Sequence, residues 1–215
     1  YVLKSSMQSY TYESLAEEYL GGMLPDVPAD LDPAVADAVA ARVLAPALAE
    51  ALPKEGAAGV YDDIDLPLVP VLASMERVGA RIDCERLAQI GKETQADIDE
   101  LAARIYELAG EEFNIDSPKQ MQRILFEVLG LKPKKKILTG YSTNATTLKE
   151  LAKEHELPEL VLHYLELTKI KSTYIDALPP LRLADGRLHT QFHQTVTTTG
   201  RLSSSNPNLQ NIPVR

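Results

Sequence analysis

The sequence predicts a mainly α chain, in which a helical arm built from a long helix and a return helix is followed by a short antiparallel β segment opening an incomplete α+β domain. Three observations carry this expectation. From Cys84 to Ala109 apolar residues recur at three- and four-residue steps with charges between them, the spacing of one helical face. Gly and Pro punctuate the flanking segments where helices would stop and start. Near Arg187 the period changes, and segments rich in Thr, Val and His replace the helical pattern.

Taken in order, Tyr12 to Leu20 reads as a helix stopped by Gly21-Gly22, and Pro25, Pro28 and Pro33 keep the next stretch extended or turned. Asp32-Pro33 opens an alanine-rich helix to Leu52, and Pro53 to Gly59 reads as a loop. An acidic segment follows, then a helix from Pro67 to Val78 with Leu68, Val71, Leu72 and Met75 on one face. Gly79 ends it, Ala80-Arg81-Ile82 is extended, and Asp83 supplies an N-cap oxygen for the helix after it.

That helix places Leu87, Ile90, Ile98, Leu101, Ile105 and Leu108 on one side, and Gly110 stops it. At 1.5 Å per residue it spans roughly 39 Å, the length of an arm rather than of a compact ball. Ser117-Pro118 caps a shorter helix to Leu129, with Gly130 beyond its end. A lysine loop follows. Thr143 or Asn144 caps a helix to His155, Pro158 opens the return helix to Leu178, and Pro179-Pro180 forbids continuation. Arg187 to Thr190 and Phe192 to Thr199 read as two strands, too few to stand alone as a sheet.

Composition bounds the function. The net charge is -9, yet residues 1–112 carry 8 Lys+Arg against 22 Asp+Glu while residues 113–215 carry 14 against 9. The second half, net +5, can face a polyanion. A single cysteine, Cys84, precludes an internal disulfide and fits a reducing compartment. No run approaches the apolar length of a membrane span, so a cytoplasmic protein with no membrane partner is expected; a monomer is expected as well. His189 and His193 share a strand face but lack a third ligand of suitable spacing, and no glycine-rich phosphate cradle is present.

Two clusters suit a phosphate backbone. Lys134, Lys135 and Lys136 precede the hydroxyl-rich Tyr141, Ser142, Thr143 and Asn144 and a helix start with unpaired N–H groups. On the return helix Lys169, Ser172 and Thr173 lie three and four apart and share a face, with Leu167, Ile170 and Tyr174 on the packing side. Either cluster could equally be a solvated surface. The C-terminal run is too polar to be core and too rich in Asn, Gln, Ser and Arg to be an inert linker.

That run, Thr199-Gly200-Arg201-Leu202-Ser203-Ser204-Ser205-Asn206-Pro207-Asn208-Leu209-Gln210-Asn211-Ile212-Pro213-Val214-Arg215, resembles the T-G-R-L-S-S-x-x-P-N-L-Q-N-I-P-x-R signature at the start of the palm of family A DNA polymerases, the bacterial polymerase I type. Leu165 to Asp176 resembles the L-x-K-L-K-S-T-Y-x-D segment of the family's thumb, and Glu111 to Gln120 with Ile124-Leu125-Phe126 is similar to the stretch after its long thumb helix. The resemblance implies a helical thumb at 61–180, the start of an α+β palm at 181–215, and at 1–60 the end of a 3'-5' exonuclease-like domain. Asp37 falls near the position of that domain's last metal-holding aspartate without the tyrosine that should precede it, so the remnant is expected to be vestigial.

The resemblance also implies roles. Arg201 enters the minor groove near the primer end, and Ser203, Ser204, Asn208, Gln210 and Asn211 line the path of template and primer. Minor-groove acceptors occupy similar places in every base pair, so donors there test pairing geometry without reading sequence. The expected partner is primer–template duplex, and the expected parent activity is template-dependent dNTP addition in replication and repair. The catalytic aspartates would follow Arg215, so no catalytic or metal-binding residue is assigned within the chain; Mg2+ and dNTPs are expected only for the longer enzyme. The alternative is a free-standing helical DNA-binding module without polymerase activity. A fragment, unlike such a module, is expected to leave an open edge after Val196 and to expose Leu202, Leu209 and Ile212.

Overall fold

The computed structural model of the chain describes residues 1–7, 10–22, 32–133, 136–137 and 140–213. In chain order the elements are α1 (Tyr12–Leu20), α2 (Pro33–Lys54), α3 (Ala58–Val60), α4 (Leu66–Val78), β1 (Ala80–Arg81), α5 (Cys84–Ala109), α6 (Pro118–Gln122), β2 (Lys136–Ile137), β3 (Gly140–Tyr141), α7 (Ala145–Leu151), α8 (Leu157–Ile170), β4 (Arg187–Leu188), β5 (Gln191–His193) and β6 (Ser203–Ser205). Wider π-helical stretches at Tyr61–Asp65, Arg123–Val128 and Lys171–Ile175 continue α3, α6 and α8. The mainly α architecture with a few short antiparallel strands is the one expected. The chain divides into two compact units, one formed by 1–80 with 189–211 and the other by 81–188 with 212–215.

In the first unit α1 begins at Thr11, whose side chain accepts the Ser14 N–H, and ends at Gly21 in the left-handed conformation. Asp32 caps α2 by accepting the Ala34 N–H at 2.9 Å. Ala16, Ala40 and Leu44 are buried. The loop expected at 53–59 is shorter than expected, because α2 runs to Lys54 and helical backbone resumes at Ala58. The apolar face expected on α4 is only partly used. Leu72 is buried, but Val71 and Met75 are 51% and 48% exposed because no described element covers that side of the helix.

The second unit is the arm. Asp83 caps α5 through the Arg86 N–H, and Gly110 closes it in the left-handed conformation. The core joins Ile105 and Ala109 of α5, Phe113, Ile115, Met121, Ile124 and Leu125 around α6, Leu148 and Leu151 of α7, and Leu157 and Val161 of α8. Burial of these side chains is the main force holding the helices together. Tyr106 packs edge-on against Phe113, with ring centroids 5.8 Å apart. Burial also pushes the Tyr164 hydroxyl above the usual tyrosine value, with Asp116 adding to the effect. The helix expected to reach His155 stops at Leu151, and His155 Nδ1 instead accepts the Leu157 N–H at 3.0 Å.

The β segment differs from the two-strand expectation. β5 pairs antiparallel with β6, a strand hidden inside the polar signature, with Gln191 opposite Ser205, Phe192 opposite Ser204 and His193 opposite Ser203. Ile212 is 43% exposed, as expected, and Val196 is 65% exposed. Leu202 and Leu209 are instead half-buried. Ser204 Oγ accepts the Leu209 N–H at 3.1 Å and so turns the chain back onto β6.

Candidate nucleic-acid interface

The lysine-rich segment carries a strand pair where a loop was expected. Lys136 lies opposite Tyr141 and Ile137 opposite Gly140 in antiparallel register. Lys134 and Lys135 lie outside the described residues. Lys136 is exposed, and the Tyr141 ring rests edge-on against Phe126 with centroids 5.4 Å apart. Ser142 is buried, its hydroxyl accepting the Asn144 N–H at 3.3 Å. The Asn144 side chain in turn accepts the Thr147 N–H at 2.9 Å and caps α7. Thr143 between them is half-buried. Ser142 and Asn144 therefore shape the turn, and among the described residues of this cluster Lys136 and Tyr141 are exposed.

On α8 and its π-helical extension, Lys169, Ser172 and Thr173 are all exposed, and the Ser172 hydroxyl donates to the Lys169 carbonyl at 3.3 Å. Lys171 differs from its neighbour. Its ammonium pairs with Asp176 at 2.7 Å, whereas Lys169 pairs with no carboxylate among the described residues. Leu167 and Ile175 are buried on the opposite side. Gly91 of α5 permits that seating, because a Cβ there would lie 3.0 Å from Ile175 Cγ2.

In the first unit the signature is pinned from within. Tyr1 Oη donates to the Thr197 carbonyl and accepts the Gly200 N–H, and Thr197 Oγ1 donates to the Arg201 carbonyl. Gly200 holds φ +76°, a conformation that costs glycine little. The loop so fixed leaves Arg201 exposed and without an ion pair among the described residues. Ser204 is buried and donates to Asn208 Oδ1 at 3.2 Å, and the same oxygen accepts the Gln210 N–H at 3.0 Å. Thr190 Oγ1 sits between the carbonyls of Ser205 at 3.0 Å and Pro207 at 2.6 Å. Asn208, Gln210 and Asn211 are exposed on this frame. Ser203 Oγ is buried and finds no partner among the described residues, so Ser203 and Ser204 turn inward while Arg201 and the amides turn outward.

The two histidines are held apart by separate duties. His189 Nδ1 donates to the Glu76 carbonyl at 2.7 Å, a bond that fixes its tautomer because a carbonyl can only accept. His193 Nε2 meets Ser205 Oγ at 2.6 Å. Among the described residues no group of three or more His, Cys, Asp or Glu could hold a metal ion, and Asp37 stands exposed on α2. No helix of the described residues is long and apolar enough to cross a membrane. Sequence reasoning missed Gln122, Phe126 and Thr190, which hold the two surfaces in place. Their partners lie at least fifteen residues away, beyond any local pattern.

Comparison with known proteins identifies the family. Residues 84–215 match the family model described as DNA polymerase family A. The chain is 44% identical over its full length to DNA polymerase I of Caldicellulosiruptor bescii, covering 25% of that protein. It is 44% identical over 89% of its length to DNA polymerase I of Geobacillus stearothermophilus, covering 22% of that protein. It thus spans about a quarter of the length of these curated relatives. The fold superposes with a TM-score of 0.85 and 36% identity on the POL domain of Pol1 from M. smegmatis in complex with DNA primer-template and dNTP, covering all of this chain and 37% of that one. The chain belongs to DNA polymerase family A.

Proposed function

We propose that the chain is the duplex-gripping thumb and palm entrance of a DNA-directed DNA polymerase, with the bond-making residues outside it. The observation that carries this is Lys169, an exposed ammonium with no carboxylate partner among the described residues, beside the exposed hydroxyls of Ser172 and Thr173, while the adjacent Lys171 is neutralised by Asp176. An exposed cation flanked by exposed hydroxyls suits a phosphate backbone, where charge supplies affinity and polar side chains fix register. Lys136 and Tyr141 add a second contact on the same unit. On the other unit Arg201, Asn208, Gln210 and Asn211 project from a pinned loop, a donor set suited to minor-groove acceptors. The solved relative that shares the fold was captured with DNA primer-template and dNTP, which supports the same partner here.

Residues 1–60 are assigned to the end of an exonuclease-like domain, 61–180 to the thumb and 181–215 to the start of the palm. Nucleotidyl transfer runs on metal ions held by carboxylates, and the described residues offer no such set. We assign Mg2+ and dNTPs to the longer enzyme, which we take to be a cytoplasmic monomer. Fluorescence anisotropy of a labelled primer–template duplex tests the grip. Sequence-independent binding at roughly micromolar affinity, with no primer extension when dNTPs and Mg2+ are added, is the expected outcome. Clear extension by this chain would overturn the placement of the chemistry.

A further inference from the structure

The β2–β3 strand pair is held by two side chains, one from α6 and one from its π-helical continuation. Gln122, the last residue of α6, accepts the Tyr141 N–H through Oε1 at 2.9 Å. The same oxygen lies so close to Gly140 that a Cβ there would sit 2.3 Å from it, and Gly140 has φ +125°, a conformation rarely adopted by residues with a side chain. One turn further on, Phe126 takes the Tyr141 ring edge-on. β3 is thus fixed at its backbone by Gln122 and at its side chain by Phe126. The register of Lys136 opposite Tyr141 carries that placement to the exposed lysine.

Resting on the duplex-gripping function above, we propose that Gln122 is a positioning residue for the DNA grip: by capturing the Tyr141 N–H in the space that Gly140 leaves, it sets where Lys136 and Tyr141 meet the phosphate backbone. A neutral acceptor is suited to the place. A carboxylate would hold the same N–H but set a negative charge beside a polyanion, and an aliphatic side chain would leave the N–H unpaired.

The test compares the full chain with Gln122→Leu, Gln122→Glu, Gly140→Ala and Lys136→Ala. It reads hydrogen exchange at the Tyr141 amide and anisotropy on a labelled duplex, with circular dichroism as a check on folding. Gln122→Leu should speed exchange at Tyr141 about fivefold or more, the equivalent of one lost hydrogen bond, and weaken duplex binding about threefold to tenfold with a shallower salt dependence. Gln122→Glu should keep the amide protected yet still bind duplex less well, separating geometry from charge. Gly140→Ala, which leaves α6 untouched, should repeat the Gln122→Leu result by pushing the same oxygen away. If Lys136→Ala weakens binding while Gln122→Leu frees the amide without changing affinity, Gln122 holds the fold only and the proposal fails. If Lys136→Ala itself leaves binding unchanged, the tip is not a duplex contact and the underlying function for this segment falls with it.

Discussion

The Glu76 carboxylate accepts the Phe192 backbone N–H at 2.6 Å, tying α4 to β5 across 116 residues of sequence. The Glu76 carbonyl takes the His189 Nδ1–H as well, so a single helical residue anchors the start of the β segment at two points. That segment leads into the loop that presents Arg201. The stability of the loop and the geometry of the candidate minor-groove contact therefore share one support.

Replacing Glu76 by Ala leaves the Phe192 N–H without its charged acceptor. A hydrogen bond to a charged group contributes about 1.5–3 kcal/mol, so Glu76→Ala should lower the unfolding free energy by that amount, with Glu76→Gln recovering part of it. Urea titration measures the change. A difference within about 0.5 kcal/mol, the range of ordinary surface substitutions, would show that β5 is held by other contacts.

In the arm, Leu151 is fully buried where α7 meets the core built on α5 and α8. Leu151→Ala should cost about 2–5 kcal/mol by removing apolar contact and leaving a cavity. Chemical denaturation monitored by circular dichroism reads the loss. A well-folded variant with an unchanged midpoint would contradict the packing described here.

Asp83 supplies the acceptor at the start of α5. Asp83→Ala should destabilise the arm by about 1 kcal/mol, and Asp83→Ser should restore most of it. The same denaturation experiment distinguishes these outcomes, since only the capping account expects the serine to rescue.

Tyr164 bears on alkaline stability. Its folded value is raised chiefly by burial, so the neutral phenol is favoured in the folded state. The stabilisation is fully present below the unfolded tyrosine value and is lost as pH rises from there through the raised folded value. Melting temperature should therefore fall as pH rises above about 10, and less steeply in Tyr164→Phe. Parallel slopes for the two proteins would remove Tyr164 from the account.

How much of this was legible in the sequence depended on the range of the cause. The bounds of α5 follow from Asp83, Gly110 and the apolar stripe between them, all local signals. The Ser117-Pro118 start of α6 is equally local, with Ser117 accepting the Gln120 N–H. β6 was not legible, because three serines carry no alternation of apolar and polar residues, and its place is set by pairing with Gln191–His193. The exposed face of α4 was misjudged because periodicity marks an apolar side without saying what covers it. At the site, the helical spacing of Lys169 and Thr173 could be read directly, but the inward turn of Ser203 and Ser204 could not, since the signature lists residue types and not directions.

The most direct test of the central claim is the salt dependence of duplex binding by the wild-type chain and by Lys169→Ala. The log of affinity should fall linearly with the log of salt concentration, and removing one phosphate contact should make the slope shallower by about 1 while weakening binding to all sequences alike. An unchanged slope and affinity in Lys169→Ala would contradict the claim that this face of the arm grips the DNA backbone.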